Sequence, residues 1–351
     1  MRDLVYIDNE GITDPHVNLA IEEYALRHLD PRYTYILFYV NEPSIIIGRG
    51  QNTIEEIDAR YVKERGIHVV RRLSGGGAVY HDSGNLNFSF ITDTAQNRLH
   101  NFALFTGPVA RALRELGADA ELGGRNDLVI EGRKVSGNAQ FSTARRMFSH
   151  GTLLFNSDLG AVAGALRVKP EKFQSKGVQS VRARVGNIAD FAEREVDVPT
   201  LQRRILESLF AGGEVRRYRL NARDWAGVRR LIAERYGQWD WNVGASPPFD
   251  VQRARRFPFG EVDVRLSIRR GRVVQARIHG DFLSTGSLQP LEQALVGVAY
   301  DPEPLAQALA GIDVGAVIPG LSGGDFLELL HPDSPPAEEG LLIRPPELAL
   351  P

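Results

Sequence analysis

Lys134 follows a Glu131-Gly132 turn signal in the stretch "GGRNDLVIEGRKVSGNAQ", residues 123–140. A lysine ammonium is a compact point charge on a flexible stem, suited to holding two anions together. Most lysines beyond a hairpin turn are simply solvated, so the neighbours must decide its role. Upstream, "RRLSGGGAVYHDSGNLNFSF", residues 71–90, gathers two arginines, three consecutive glycines, a histidine, an aspartate and two asparagines. Three glycines in a row weaken a helix or strand, because glycine loses the most backbone freedom on ordering and packs no side chain. A chain that keeps Gly75, Gly76 and Gly77 together needs bare backbone there. Exposed N–H groups can then approach a ligand closely, with Arg71 and Arg72 at the entrance to attract an anion. A tight turn beside a salt bridge is the competing account of the same residues.

Two familiar glycine motifs fail on their own requirements. A phosphate-cradling P-loop ends in Gly-Lys-Ser/Thr, whereas Ala78 and Val79 follow Gly77. A dinucleotide fingerprint needs a glycine or alanine where Tyr80 stands and should open into a helix, whereas "AVYHDSGNLNFSF" alternates like paired strands. His150, before Gly151 in "MFSHGTLLFN", suits either a core histidine or a ligand contact. Lys176, Arg182 and Arg184 in "KGVQSVRARVGNI" lack helical spacing and suit a basic loop, mobile over a site or merely solvated. None of the eight histidines falls in a His-Glu-x-x-His pattern, so a zinc hydrolase is unsupported.

The elements that must hold these residues read as mixed α/β. "YTYILFYV", "SIIIGRG" and "IHVVRRL" have strand composition, "TIEEIDARYVKERG" reads as one helix ended by Gly66, and Asp127–Ile130 suit a strand. Val109, Leu113 and Leu116 form one helical stripe before Gly117; Leu201, Ile205 and Leu209 form another before Gly212. At 351 residues two domains are expected, with a boundary near residue 247 at "QWDWNVGASPPFD" and "GASPPF" as the hinge. Beyond it, "EVDVRLSIRRGRVVQARIHG" reads as two strands around an Arg-Gly turn, followed by helical "PLEQALVGVAY". Residues 332–351 hold six prolines and are expected to be poorly ordered.

Composition narrows the function classes. The chain is 43% hydrophobic and 25% charged, as an ordinary globular protein is, and its net charge of -2 argues against a general nucleic-acid binder. With no cysteine there is no disulfide, zinc-thiolate site, iron-sulfur cluster or thiol nucleophile. No apolar run reaches a membrane span and no leader pattern opens the chain, so a cytoplasmic protein is expected.

Taken together, "NLAIEEYAL", "IIIGRGQN", "RRLSGGGAVYHDSGNLN", "GRNDLVIEGRKVSGNAQ", "HGTLLFN" and "KGVQSVRARVGNI" resemble, in order across residues 18–188, the lipoate-protein ligases of the biotin/lipoate ligase superfamily. The segment after residue 250 is more weakly similar to the accessory domain of such ligases. The resemblance implies an α/β (α+β mixed-sheet) ligase-like domain over residues 1–247, a small α/β accessory domain over 248–331 and the tail. It implies an enzyme that joins lipoic acid to ATP, with Mg²⁺ on the phosphates and its protein ligands unassigned, and then transfers the acyl group from lipoyl-AMP to a lysine of a lipoyl domain. The acceptors would be 2-oxoacid dehydrogenase E2 or glycine cleavage H proteins, and the ligase a monomer.

Carried onto matching positions, the resemblance makes Lys134 the catalytic cation, lets Gly75, Gly76 and Gly77 line the lipoyl and adenylate pocket, and puts Arg72 on the phosphate side. Ala78, Val79 and Tyr80 would border the nucleotide; His81, Asp127, Ala139 and His150 would contact ligand; Lys176, Arg182 and Arg184 would close over the adenylate. Octanoyltransferases of the superfamily work through a cysteine thioester, which this chain cannot form. Biotin ligases carry an arginine-glycine loop where "SGGGAVYHD" stands. An octanoate-preferring ligase stays open, since the two acids differ only at the far end of an apolar tunnel. A non-catalytic lipoyl-domain-binding module is the reading from another class, and it would not need Lys134.

Overall fold

The computed structural model describes residues 3–94, 98–123, 126–166, 185–192, 196–246, 249–280, 282, 284 and 287–331. The segment 332–351, the loop carrying Lys176, Arg182 and Arg184, and Pro247-Pro248 of the expected hinge lie outside these residues. The chain divides into two units, Met1–Ala245 and Ser246–Pro351.

In the first unit the strands are β1 (Leu4–Asp8), β2 (Thr34–Val40), β3 (Ser44–Ile47), β4 (His68–Arg71), β5 (Val79–His81), β6 (Asn85–Asp93), β7 (Glu121–Gly123), β8 (Asp127–Ile130), β9 (Arg133–Ser142), β10 (Arg146–Leu154) and β11 (Arg217–Arg219). Eight of them form one mixed sheet in the order β11-β1-β2-β6-β10-β9-β8-β7, and β4-β3-β5 form a second. β2 is a nearly continuous apolar run because both faces of the large sheet are covered. Ile36 and Phe38 pack with Phe105, Val109 and Leu113 of the helix Phe102–Glu115 and with Leu201 and Ile205 of the helix Val198–Leu209. Tyr35, Leu37 and Tyr39, the alternate residues, pack with Leu19, Ile21 and Leu26 of α1 (Pro15–His28). The two helical stripes read from sequence therefore do cover the core.

Two local expectations are corrected. "AVYHDSGNLNFSF" does hold two strands, but they do not pair: β5 joins β3, whereas β6 lies between β2 and β10. Alternation reports which face a residue takes, not which strand lies alongside. The single helix expected over 53–66 is two, Thr53–Glu56 and Ala59–Glu64. Asp58 accepts the Tyr61 N–H at 2.8 Å and caps the second, while Ile57 bridges to Leu166. The cap preference of aspartate outweighed apolar periodicity here.

The second unit is a meander of β12 (Phe249–Phe257), β13 (Gly260–Arg269) and β14 (Arg272–Gly280), covered by the helices Gln289–Leu295, Pro302–Leu309 and Gly323–Leu330. Arg270 and Gly271 both take positive φ, 52° and 68°, as a two-residue hairpin turn requires. Among the described residues no helix is long and apolar enough to cross a membrane.

Candidate active site

The β8–β9 hairpin delivers Lys134. Glu131 and Gly132 have φ of 49° and 74°, the turn geometry that lets two strands continue their twist. Two residue pairs beyond the turn, the register slips between Leu128 and Val129, leaving Val135 as an extra residue on β9. The bulge resets the alternation: Val135 stays buried in the core, and Lys134 shares a face with Gly137, whose missing Cβ would lie 3.2 Å from Nζ. Lys134 Nζ reaches Asp127 Oδ1 at 2.9 Å, and both side chains are half-exposed. Among the described residues the ammonium pairs with this one carboxylate and borders open space.

That space is a cavity of about 170 Å³ between α1, the glycine loop and the strands β2, β3, β5, β6, β9 and β10. It is lined by Arg72, Gly76, Gly77, Ala78, Val79, His81, Lys134, Ala139 and His150, nine of the residues singled out in the sequence. Gly75 contributes by accepting Arg72 Nη2 at 2.7 Å through its carbonyl. Asp127 adjoins the cavity through Lys134. Tyr80 does not face it: Val79 and His81 point one way from β5, and Tyr80 points the other, into a cluster with Ile45, Ile47 and Ala165. A larger cavity of about 850 Å³, lined by arginines and tyrosines including Arg217, Arg230, Tyr35 and Tyr218, gathers none of the expected residues. Size alone does not make it the reaction site.

The two arginines do more building than the sequence suggested. Arg71 is fully buried, donating to the carbonyls of Gly48, Gln51 and Trp241. Arg72 donates to Ser74 Oγ and to the carbonyls of Ile46, Gly75 and Gly77, so its fork folds the glycine loop back on itself. Burial pushes its guanidinium down to about 10, partly offset by Tyr39 and Glu22, and it remains cationic at neutral pH. Its charge backs the loop rather than standing open at an entrance.

His81 is set by a chain of amides. Asn18 Nδ2 donates to the Ile12 carbonyl, which can only accept, and also to Asn41 Oδ1 at 2.9 Å. The Asn41 NH₂ must then face His81 Nδ1, 3.0 Å away, which makes Nδ1 the acceptor. Burial, then Arg72 and His150, push the imidazole down to about 3. The neutral ring thus carries its proton on Nε2, a buried atom with no partner among the described residues. It is an N–H donor held ready at the cavity wall.

His150 is tied on both sides, Nδ1 to Glu22 Oε1 at 3.0 Å and Nε2 to Ser74 Oγ at 2.7 Å. The order Glu22–His150–Ser74 superficially suggests a hydrolytic triad, but Ser74 is fully buried and accepts Arg72 Nε. It braces the loop. Gly151 is needed next door, since a Cβ there would sit 2.0 Å from Asn138 Oδ1 and 2.6 Å from the Phe88 ring. Asn126 and Asn138 bond each other's backbone carbonyls across the β8–β9 pair and line the cavity.

Glu22, Asn41, Ser74, Asn126 and Asn138 were not singled out from sequence. Each is a polar residue that the structure buries or half-buries, and burial of such groups is costly unless they are hydrogen-bonded, as these are. That signal becomes visible only when strands fix who faces inward.

Comparison with known proteins follows the same outline. Residues 14–210 match the lipoyl protein ligase A/B catalytic domain family, and residues 246–330 the bacterial lipoate protein ligase C-terminus family. Lipoate-protein ligase LplJ of Bacillus subtilis is 48% identical over 331 residues, covering 93% of this chain and 100% of that protein. A bipartite lipoate protein ligase from Thermoplasma acidophilum, solved as part of a lipoylation system with its E2 lipoyl domain, superposes with a TM-score of 0.61 at 30% identity, over 70% of this chain and 97% of that one. Protein Ta0514 of the same organism with bound lipoic acid, and a lipoate-protein ligase A bound with ATP, each give a TM-score of 0.60 at 26% identity, over 69% and 98%.

Proposed function

The chain belongs to the lipoate-protein ligases, and from that premise we propose that its cavity joins lipoic acid to ATP around Lys134 and then releases the lipoyl group to a protein lysine. In the first step a lipoate carboxylate oxygen attacks the α-phosphorus, and the bond to the leaving pyrophosphate breaks. In the second the acceptor amine attacks the carbonyl carbon of lipoyl-AMP, AMP departs with the bonding electrons, and the amine gives up a proton. Two anions must meet in the first step, and fixed cations and donors offset their repulsion. Lys134 Nζ and the His81 Nε2–H, converging on one cavity with the Gly76–Ala78 backbone, are the observation that carries this reading.

Lipoic acid and ATP as the two substrates have support from the ligand-bound relatives. The acceptor class, a lipoyl domain, has support from the T. acidophilum system. Mg²⁺ fits the residues present in a limited way. Among the described residues no three His, Asp or Glu cluster into an all-protein site, but Asp127 supplies one carboxylate beside Lys134. A Mg²⁺ that arrives on the nucleotide needs only one or two protein carboxylates and takes its other ligands from phosphate and water. It would neutralise phosphate charge; Lys134 and His81 would orient and polarise the reacting groups.

The test is ATP–pyrophosphate exchange with lipoate, octanoate and biotin each supplied alone. Exchange with lipoate is expected. Exchange strongest with octanoate would make this an octanoate-preferring ligase, and exchange with none of the three would support a non-catalytic lipoyl-domain-binding module.

A further inference from the structure

The stretch "QWDWNVG", read in sequence only as the approach to a boundary, contains two residues aimed at the glycine loop's foundation. It forms a wide π-helical turn, Asp240–Gly244, soon after another at Ile232–Tyr236. Such turns give up ordinary helix geometry and recur where side chains must be placed. Here Asn242 Oδ1 accepts the Arg71 backbone N–H at 3.0 Å, and Trp241 Nε1 donates to the Arg71 carbonyl at 2.7 Å. The Arg71 guanidinium answers with Nε on the Trp241 carbonyl at 3.0 Å and Nη1 on the Gly48 and Gln51 carbonyls at 2.9 and 2.8 Å. One rigid fork staples residues 241–242 to the turn 48–51.

That turn backs the glycine loop directly. Arg49 N–H donates to the Ser74 carbonyl at 2.8 Å, and a Cβ on Gly48 would lie 2.0 Å from the Gly76 carbonyl oxygen. The far end is equally fixed: the Arg49 and Arg235 guanidinium groups each lie over the Trp241 ring, 4.3 and 4.8 Å from its centre, and Asn242 Nδ2 donates to the Tyr236 carbonyl at 2.7 Å. A run of three glycines has the most backbone freedom to lose, so it needs bracing from outside.

We propose that Trp241 and Asn242 are positioning residues for the glycine loop, acting through Arg71 and the turn 48–51. This rests on the reading of that loop as the place where backbone meets ligand. Neither residue is among those lining the cavity. A loosened loop must be ordered again at each binding event, which weakens affinity while leaving the chemical step intact.

The experiment compares full-length Trp241→Phe and Asn242→Ala with the unaltered enzyme by hydrogen exchange and by ATP–pyrophosphate exchange. Trp241→Phe keeps an aromatic ring beside the two arginines while removing the five-membered ring that carries the Nε1–H donor, so it carries the test even if Asn242→Ala fails to fold. The expected result is faster hydrogen exchange over residues 72–80, no change over α1, and a KM for lipoate raised about five- to tenfold with kcat within about twofold. Loop loosening with an unchanged KM would sustain the brace and count against the loop as a ligand site. Folded variants that loosen only residues 236–244, with residues 72–80 exchanging as before, would overturn the proposal.

Discussion

A neutral His81 couples the cavity to pH. Its folded value of about 3 lies below the unfolded value of about 6.5, so between the two the unfolded chain binds a proton that the folded chain refuses. The stability that His81 contributes is complete above about pH 6.5 and is lost as pH falls through that window, at roughly 1.4 kcal/mol per unit. Urea midpoints at pH 7 and pH 5 should therefore show the unaltered protein losing about 2 kcal/mol more than His81→Gln. Equal losses would mean that the ring titrates near its ordinary range. Gly76 makes a second test at this scale. Its φ of 93° and the Arg72 Nη2 only 3.0 Å from its absent Cβ leave no room for a β-branched side chain. Gly76→Val should raise the KM for lipoate or block turnover in a folded protein; unchanged kinetics would reduce the loop to an ordinary turn.

The β8–β9 hairpin is the element that sets Lys134, and its turn is slightly imperfect. Glu131 holds a φ of 49°, where asparagine is far more comfortable, beside Gly132 at 74°. Glu131→Asn should raise the unfolding free energy, read from urea denaturation, by a few tenths of a kcal/mol and leave pyrophosphate exchange unaltered. A loss of exchange would show that the turn side chain itself takes part. This hairpin was legible in sequence because turn chemistry is local: Glu-Gly, a short apolar strand and a lysine suffice to place it. The bulge at Val135 was not, since nothing local distinguishes it from plain alternation. The same division holds elsewhere. β2, β3 and β4 follow from composition alone, while the separation of β5 from β6 into different sheets depends on long-range pairing. At the site, Lys134, His81, His150 and the glycines carry their chemistry in their types. Tyr80 turned away from the cavity into a buried cluster, and Arg71 and Arg72 became braces, because burial and carbonyl partners are properties of the folded chain.

At the scale of the molecule, the cavity lies wholly within the unit Met1–Ala245. A chain ending near residue 247 should keep acyl transfer from supplied lipoyl-AMP and lose much of adenylation, if the second unit serves activation of the free acid. Circular dichroism would first establish that the shortened chain folds; equal loss of both half-reactions would assign the second unit to stability instead. The central claim is that the whole enzyme adenylates lipoate by way of one ammonium in this cavity. Its most direct test is ATP–pyrophosphate exchange by full-length Lys134→Ala and Lys134→Arg. The side chain is half-exposed and contributes little to the core, so both should fold. The account predicts exchange abolished by alanine and poorly restored by arginine, whose planar fork cannot take the place of a compact charge. A folded Lys134→Ala enzyme with near-normal exchange would contradict it.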